Sequence, residues 1–369
     1  MNRLILSALM AGVLAVGLIV GPSILVKSQS NFAYAQAPPA GKQKHVTFIA
    51  TEKQIQVAPD NALHPGGIKY NAMVFNGSIP APIVAIDQGD NLTMTLVNKG
   101  KLVHSMDFHA GFGTNAANSG PVSPGQSKSW SLVGAIPGFF FYHCSADALN
   151  GIWEHVASGM YGGIVVHPTN EQKAKEFYVA FGEIYGSNIP APLSGKNQTG
   201  PANFNISSFL ANNNDLELTN GLAFKYVPAI GKVAKIELNK NASVFTVKPN
   251  ELTRWYIANG GPNHFLAFHF IGSIMTVRDG SNGQNNDYGT VDKNDDTWTI
   301  PPGSGSVIEL TFPQPGLYVG VTHALSDVVK GGAFAVLATS NATDTDHPPG
   351  TWVPPKGSSM VSGEQQPKK

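Results

Sequence analysis

The chain has 369 residues, a formal net charge of zero at neutral pH and only 13% charged residues. That balance argues against nucleic acid as a partner, because no basic face is available to neutralise phosphates. Forty Gly and 26 Pro with so little charge weigh against long charged helices and favour many turns joining short strands, in a chain long enough for two domains.

The chain begins with the basic start Met1-Asn2-Arg3, and Leu4 to Val26 is almost wholly apolar. Ala33-Tyr34-Ala35 then offers small residues around a cleavage point before Gln36. The apolar run exceeds a usual signal core, and roughly 20 residues suffice to cross a bilayer. Residues 1–35 therefore read as a signal peptide or an uncleaved membrane anchor. Either puts the remainder outside the cytoplasm: secreted, periplasmic or at the cell surface. Asn-x-Ser/Thr triplets at Asn76, Asn91, Asn197, Asn205, Asn241 and Asn341 are compatible with that location.

Residues 36–44 form a Pro/Ala/Gly-rich linker. Strand patterns follow at Val46–Ile49, Ile83–Ile86 and Leu92–Val97, punctuated by Gly, Pro, Asn and Asp, as in a β-sandwich. A polar break at Pro168–Lys173 separates this block, 45–168, from a second, 169–340. The second repeats the signals at Phe177–Phe181, Trp255–Ala258 and Val307–Phe312. The tail, 341–369, is rich in Pro, Gly, Ser and Lys, and reads as disordered or as an arm laid on a neighbour.

The two blocks look like copies. His104 and His109 are five apart, as are His264 and His269. Pro137-Gly138 leads through aromatics to His143, and Pro315-Gly316 leads to His323. Ala324 stands where the first block has Cys144. The expected fold is all-β, a β-sandwich duplicated in tandem.

Cys144 is the only cysteine, so it forms no internal disulfide. It is either an inert core thiol or a working one. A thiolate with His155 and Met160 close behind, and His104 upstream, is the ligand set of a mononuclear copper electron-transfer site. Adjacent strand residues face opposite ways, and so do residues five apart. His143 and His109 therefore belong to a second site, back to back with the first. That site needs a third ligand, for which His323 is the best candidate; three imidazoles leave a copper an open position. Asp107, between the histidines, is a candidate proton donor or else a turn residue. His264 reads as a remnant of duplication or a hydrogen-bonding residue. His45, His64, His167 and His347 read as structural or surface.

These motifs resemble those of the copper-containing nitrite reductases, a family of two-domain cupredoxin proteins, which implies two tandem cupredoxin-like Greek-key β-sandwich domains. The matching segments are His104-Ser105-Met106-Asp107-Phe108-His109, His143-Cys144, His155 to Met160, Phe268-His269-Phe270-Ile271-Gly272 and Pro315 to His323. The resemblance covers roughly residues 45–340. It implies type 1 copper on His104, Cys144, His155 and Met160. It implies type 2 copper on His109, His143 and a His323 supplied by an adjacent subunit of a homotrimer. Asp107 and His269 would be the acid–base pair and Ile271 the apolar wall of the substrate pocket. The implied reaction takes nitrite, one electron from an external cupredoxin or cytochrome, and two protons to nitric oxide and water. The stretch from Cys144 to His155 is longer than the family usually shows, and carries Asp147 and Glu154 near where a donor would dock.

A two-domain multicopper oxidase of the laccase kind needs His-x-His pairs, and no two of the eleven histidines are two apart. A secreted electron carrier would use only the thiolate site and give Asp107, His269 and His323 no joint purpose. Hydroxylamine or nitric oxide would also suit an open copper with a proton relay.

Overall fold

The structure, a computed structural model, describes residues 41–111, 119–146, 151–228, 242–279 and 288–358. The leader, most of the linker and Asp147 lie outside the described residues. No helix among the described residues is long and apolar enough to cross a membrane.

The first block builds two sheets. One has the order β2-β1-β4-β6, from β1 (Gln43–Ala58), β2 (Ile68–Phe75), β4 (Asn91–Asn98) and β6 (Ser127–Val133). The other has the order β3-β8-β7-β5, from β3 (Val84–Asp87), β5 (Asp107–Phe108), β7 (Gly138–His143) and β8 (Tyr161–His167). The alternation expected from sequence explains the packing. On β1, Val46, Phe48 and Ala50 point inward, and on β4 so do Leu92, Met94 and Leu96. They meet Trp130, Tyr142 and Cys144 in one buried core. Each large apolar side chain so buried contributes about 1.5–3 kcal/mol.

The second block repeats this order strand for strand. One sheet runs β10-β9-β12-β17-β14-β15, from β9 (Lys175–Ile184), β10 (Leu216–Thr219), β12 (Thr253–Asn259), β14 (Met275–Asp279), β15 (Gly289–Asp295) and β17 (Ser304–Leu310). The other runs β11-β19-β18-β13-β16, from β11 (Phe245–Val247), β13 (Leu266–Ile271), β16 (Thr297–Ile300), β18 (Gly316–Thr322) and β19 (Ala333–Ala338). Pairing senses match as well. β1 is parallel to β4 as β9 is to β12, and β3 is parallel to β8 as β11 is to β19. Strands β14, β15 and β16 are the second block's addition. The chain is thus all-β, with two cupredoxin-like sandwiches in tandem.

A pair of buried asparagines shows the repeat at atomic level. Asn98 ends β4, accepts the Gly100 N–H at 2.9 Å and donates to the carbonyls of Leu102 and Val122. Asn259 ends β12, accepts the Gly261 N–H at 2.9 Å and donates to the carbonyls of His264 and Ile300. Each clamps the loop beside a matching histidine, His104 in the first block and His264 in the second. A third buried cluster, with Phe139, Tyr161, Tyr178 and Tyr256, joins the two sandwiches. Phe139 packs against Gly305, where a Cβ would lie 2.5 Å from the ring.

One sequence expectation needs correction, and one segment holds more than its polarity suggests. In the polar break at 168–173, Thr169, Asn170, Gln172 and Lys173 are exposed. The Glu171 side chain turns inward, and with Glu176 and Glu309 it surrounds Arg254 at 2.7–3.1 Å. His167, Glu171 and Glu176 are close enough to hold a metal, but the guanidinium already supplies the cation their charges require. The tail, expected to be disordered or laid on a neighbour, lies along its own chain as far as Ser358. The Thr351 carbonyl accepts the Tyr178 N–H at 2.9 Å, the Gly357 N–H reaches Asp87 at 3.0 Å, and Val353 is buried. A Pro-rich segment makes no ladder, but its free carbonyls accept bonds from the body.

His167 holds that tail. Its Nδ1 faces a Glu171 oxygen at 3.0 Å and its Nε2 the Pro354 carbonyl at 2.9 Å, so both nitrogens face acceptors. Burial alone would lower its pKa, but the Glu171 hydrogen bond and the Glu176 and Glu171 charges outweigh that and raise it. A raised folded pKa gives stability that is full below the ordinary value of about 6.5 and is lost as pH rises through the folded value. Glu171, held low, acts oppositely and only in acid. The expected result is that the stability advantage of wild type over His167→Gln shrinks between about pH 5.5 and about pH 9. Thermal melts of both across that range check this, and parallel curves would refute it.

Candidate metal centres

The pairing of β5 with β7 builds one centre. Asp107 stands opposite His143 in register, and the His109 N–H extends the ladder to the Phe141 carbonyl at 3.0 Å. Residues 107, 109 and 143 therefore share one face of the sheet. Asp107 Oδ2 lies 3.6 Å from His143 Nε2 and 4.0 Å from His109 Nε2. The two rings are 5.3 Å apart. His143 Nδ1 donates to the Cys144 carbonyl at 2.9 Å, which turns Nε2 toward the cluster. His109 makes a hydrogen bond to the Gly303 backbone. Its pKa is lowered by burial and by His143, so it is neutral, as a ligand must be.

The second centre lies behind the first, in the sandwich core. His104 precedes β5 and is turned inward by a bridge to Val122. Cys144 follows β7 and is fully buried. Helix α1 (Ile152–Ala157) brings in His155. The Nδ1 atoms of His104 and His155 are 3.2 Å apart, and Cys144 Sγ is 3.3 Å from the latter and 4.0 Å from the former. Met160 is fully buried in the same core; its carbonyl accepts the Cys144 N–H at 3.0 Å and its N–H donates to the His155 carbonyl at 3.1 Å.

The donor chemistry fits a thiophilic cation. Burial pushes the Cys144 thiol up to about 12, only partly offset by N–H groups of Ser105 and Ala146. Burial and His104 press His155 down to about 4, and burial lowers His104. Two neutral imidazoles thus converge on a sulfur that needs a cation to lose its proton.

Sequence reading missed the residues that orient these side chains. Glu52 Oε1 accepts from His104 Nε2 at 3.1 Å. The Ser105 N–H points at Cys144 Sγ from 3.4 Å. Burial would raise the Glu52 carboxyl, but the Lys101 and Leu102 N–H groups and His104 hold it below its usual range. Glu52 lies 52 positions before His104, so no local pattern links them.

The second sandwich brings His269, Ile271 and His323 to an outer face. Phe268 and Phe270 of β13 are buried, which leaves His269 and Ile271 outward, the latter 51% exposed. The His323 N–H donates to the Ala267 carbonyl at 2.8 Å, and the rings of His269 and His323 are 5.2 Å apart. Within one chain, neither joins Asp107, His109 and His143 at ligand range. His264 sits where the first block has His104, but Asp327, on helix α3 (Leu325–Val329), binds its Nδ1 at 3.0 Å and raises its pKa. An ion pair stands where the first block has the His104, Cys144 and His155 cluster. (A short helix, Ile206–Leu210, is α2.) His64 is buried, as a structural residue would be, with its ring 5.6 Å from that of Phe224.

Comparison with known proteins agrees with this architecture. Family models described as multicopper oxidase match residues 56–171 and 198–348. The chain is 29% identical to a copper-containing nitrite reductase of Alcaligenes xylosoxydans xylosoxydans, over 90% of this chain and 95% of that one. It is 26% identical to a copper-containing nitrite reductase of Neisseria meningitidis, over 76% of this chain and 67% of that one. In structure it resembles the copper nitrite reductase of Nitrosomonas europaea, with a TM-score of 0.68 and 27% identity over 82% of this chain and 96% of that one. The chain belongs to the two-domain cupredoxin-type copper proteins of the multicopper oxidase superfamily.

Proposed function

We infer that the chain is a copper-containing nitrite reductase. Nitrite, one electron and two protons give nitric oxide and water. The observation that carries this reading is the back-to-back pair of clusters, joined by the single peptide His143–Cys144. A buried thiolate cluster suits electron uptake, and a surface imidazole cluster with a carboxylate suits proton-coupled reduction.

His104, Cys144, His155 and Met160 would hold the type 1 ion. His109 and His143, with His323 of the partner subunit, would hold the type 2 ion. Copper supplies a one-electron relay at the first site and a Lewis-acidic open position at the second. The chain's own groups do the rest. Asp107 Oδ2 stands beside both Nε2 atoms and would hold a proton for the departing oxygen of nitrite. His269 would supply the second proton and Ile271 would cover the substrate. The exposure of His323 and Ile271, away from Asp107 in the same chain, favours a homotrimer with its sites between subunits. We take residues 45–168 and 169–340 as its domains, an extracytoplasmic location from the leader, and a cupredoxin or cytochrome as donor.

The test is an anaerobic assay of copper-loaded protein with a reductant and nitrite. Nitric oxide should accumulate, with two coppers bound per chain. Fully loaded protein that yields none would overturn the reading. Four coppers per functional unit with oxygen consumption would support the oxidase instead.

A further inference from the structure

Glu52 is a β1 residue with no part in the motifs that mark the two centres. Its carboxylate is 30% exposed, yet Oε1 is 3.1 Å from Nε2 of a fully buried imidazole. It lines a surface groove with Gln54, Met73, Glu154, Ser158 and Phe204. The contact is built rather than incidental. Glu52 also accepts the N–H groups of Lys101 at 2.8 Å and Leu102 at 3.2 Å, in the loop that delivers His104. Gly100 leaves room for it, since a Cβ there would lie 2.6 Å from Glu52 Oε1.

We propose that Glu52 is a positioning residue of the thiolate centre, fixing the His104 tautomer that aims Nδ1 at Cys144 and lowering the reduction potential of the metal held there. The inference rests on the reading of His104 and Cys144 as ligands. A ring nitrogen that donates to Glu52 must carry the proton, so the other nitrogen presents a lone pair to the site. The carboxylate also makes the imidazole a stronger donor. The oxidised ion carries one more positive charge than the reduced ion, so an anion one hydrogen bond from its ligand favours the oxidised state. Partial exposure screens that effect without removing it.

The test is a redox titration of copper-loaded wild type, Glu52→Gln and Gly100→Ala, followed by the thiolate-to-copper absorption, with thermal melts alongside. Glutamine keeps an oxygen that accepts from His104 but removes the charge; Gly100→Ala displaces the carboxylate without touching β1. Both variants should retain the absorption band. At the wild-type midpoint, Glu52→Gln should be reduced on the order of tenfold more than oxidised, ~59 mV for a one-electron couple, and Gly100→Ala should shift the same way. A residue that merely caps the 101–102 turn would change the melting temperature and leave the midpoint in place, and that result would overturn the proposal alone. Wild-type protein that binds copper without any thiolate band would overturn the ligand reading and this proposal with it.

Discussion

Exchange of His323 for alanine should lower nitrite turnover by at least ~100-fold, since outer-shell partners of a metal typically cost ~10–100-fold and a ligand costs more. The thiolate absorption should be untouched, because His104, Cys144 and His155 cluster in the other sandwich. The sharper form of the experiment uses mixed subunits. In one chain His323 pairs with His269 and stays apart from Asp107, His109 and His143. If sites form between subunits, His323→Ala and His109→Ala proteins are each inactive alone. Refolded or co-expressed together, they should regain up to about a quarter of sites when subunits assort at random. No recovery in verified mixed trimers would assign each site to a single chain.

Asp107→Asn should lower kcat by ~10²–10⁴-fold, the usual range for a positioned proton donor. Asparagine keeps the shape and the β5–β7 pairing but carries no proton to give. Copper content, melting temperature and the thiolate band should match wild type, because the Asp107 side chain is half-exposed and points away from the core. Stopped turnover with retained copper would separate proton supply from metal binding. Undiminished kcat would leave Asp107 as a strand residue that merely faces His143 at 3.6 Å.

Much of the thiolate cluster was legible in the sequence, because Cys144, His155 and Met160 lie close along the chain and the ligand types are diagnostic. Parity of side-chain direction was enough to split His104 from His109 and His143 from Cys144, and the structure separates them as that parity requires: His104 and Cys144 are fully buried while His109 and His143 meet Asp107 on the opposite face. The duplicated histidine spacing foreshadowed the strand-for-strand repeat. It did not reveal Asn98 and Asn259, whose roles depend on carbonyls 24 and 41 residues away. The tail misled because composition reports which residues a segment has but not which partners they meet, and polar backbone groups can pack against the body when partners offset the cost. The Pro354 carbonyl had His167.

The amino-acid order alone thus settled the all-β class and the doubling of the fold, and it named candidate side chains for the two clusters, since hydrophobic alternation and donor chemistry are properties of residues and their spacing. Only the folded chain decided orientation. The register of β5 on β7 set Asp107 against His143. A carboxylate on β1 chose the ring nitrogen that His104 offers. An aspartate on a short helix closed the second copy's cluster around His264. Each is a contact between segments far apart in sequence, made specific by hydrogen-bond geometry that exists only once the sheets have come together.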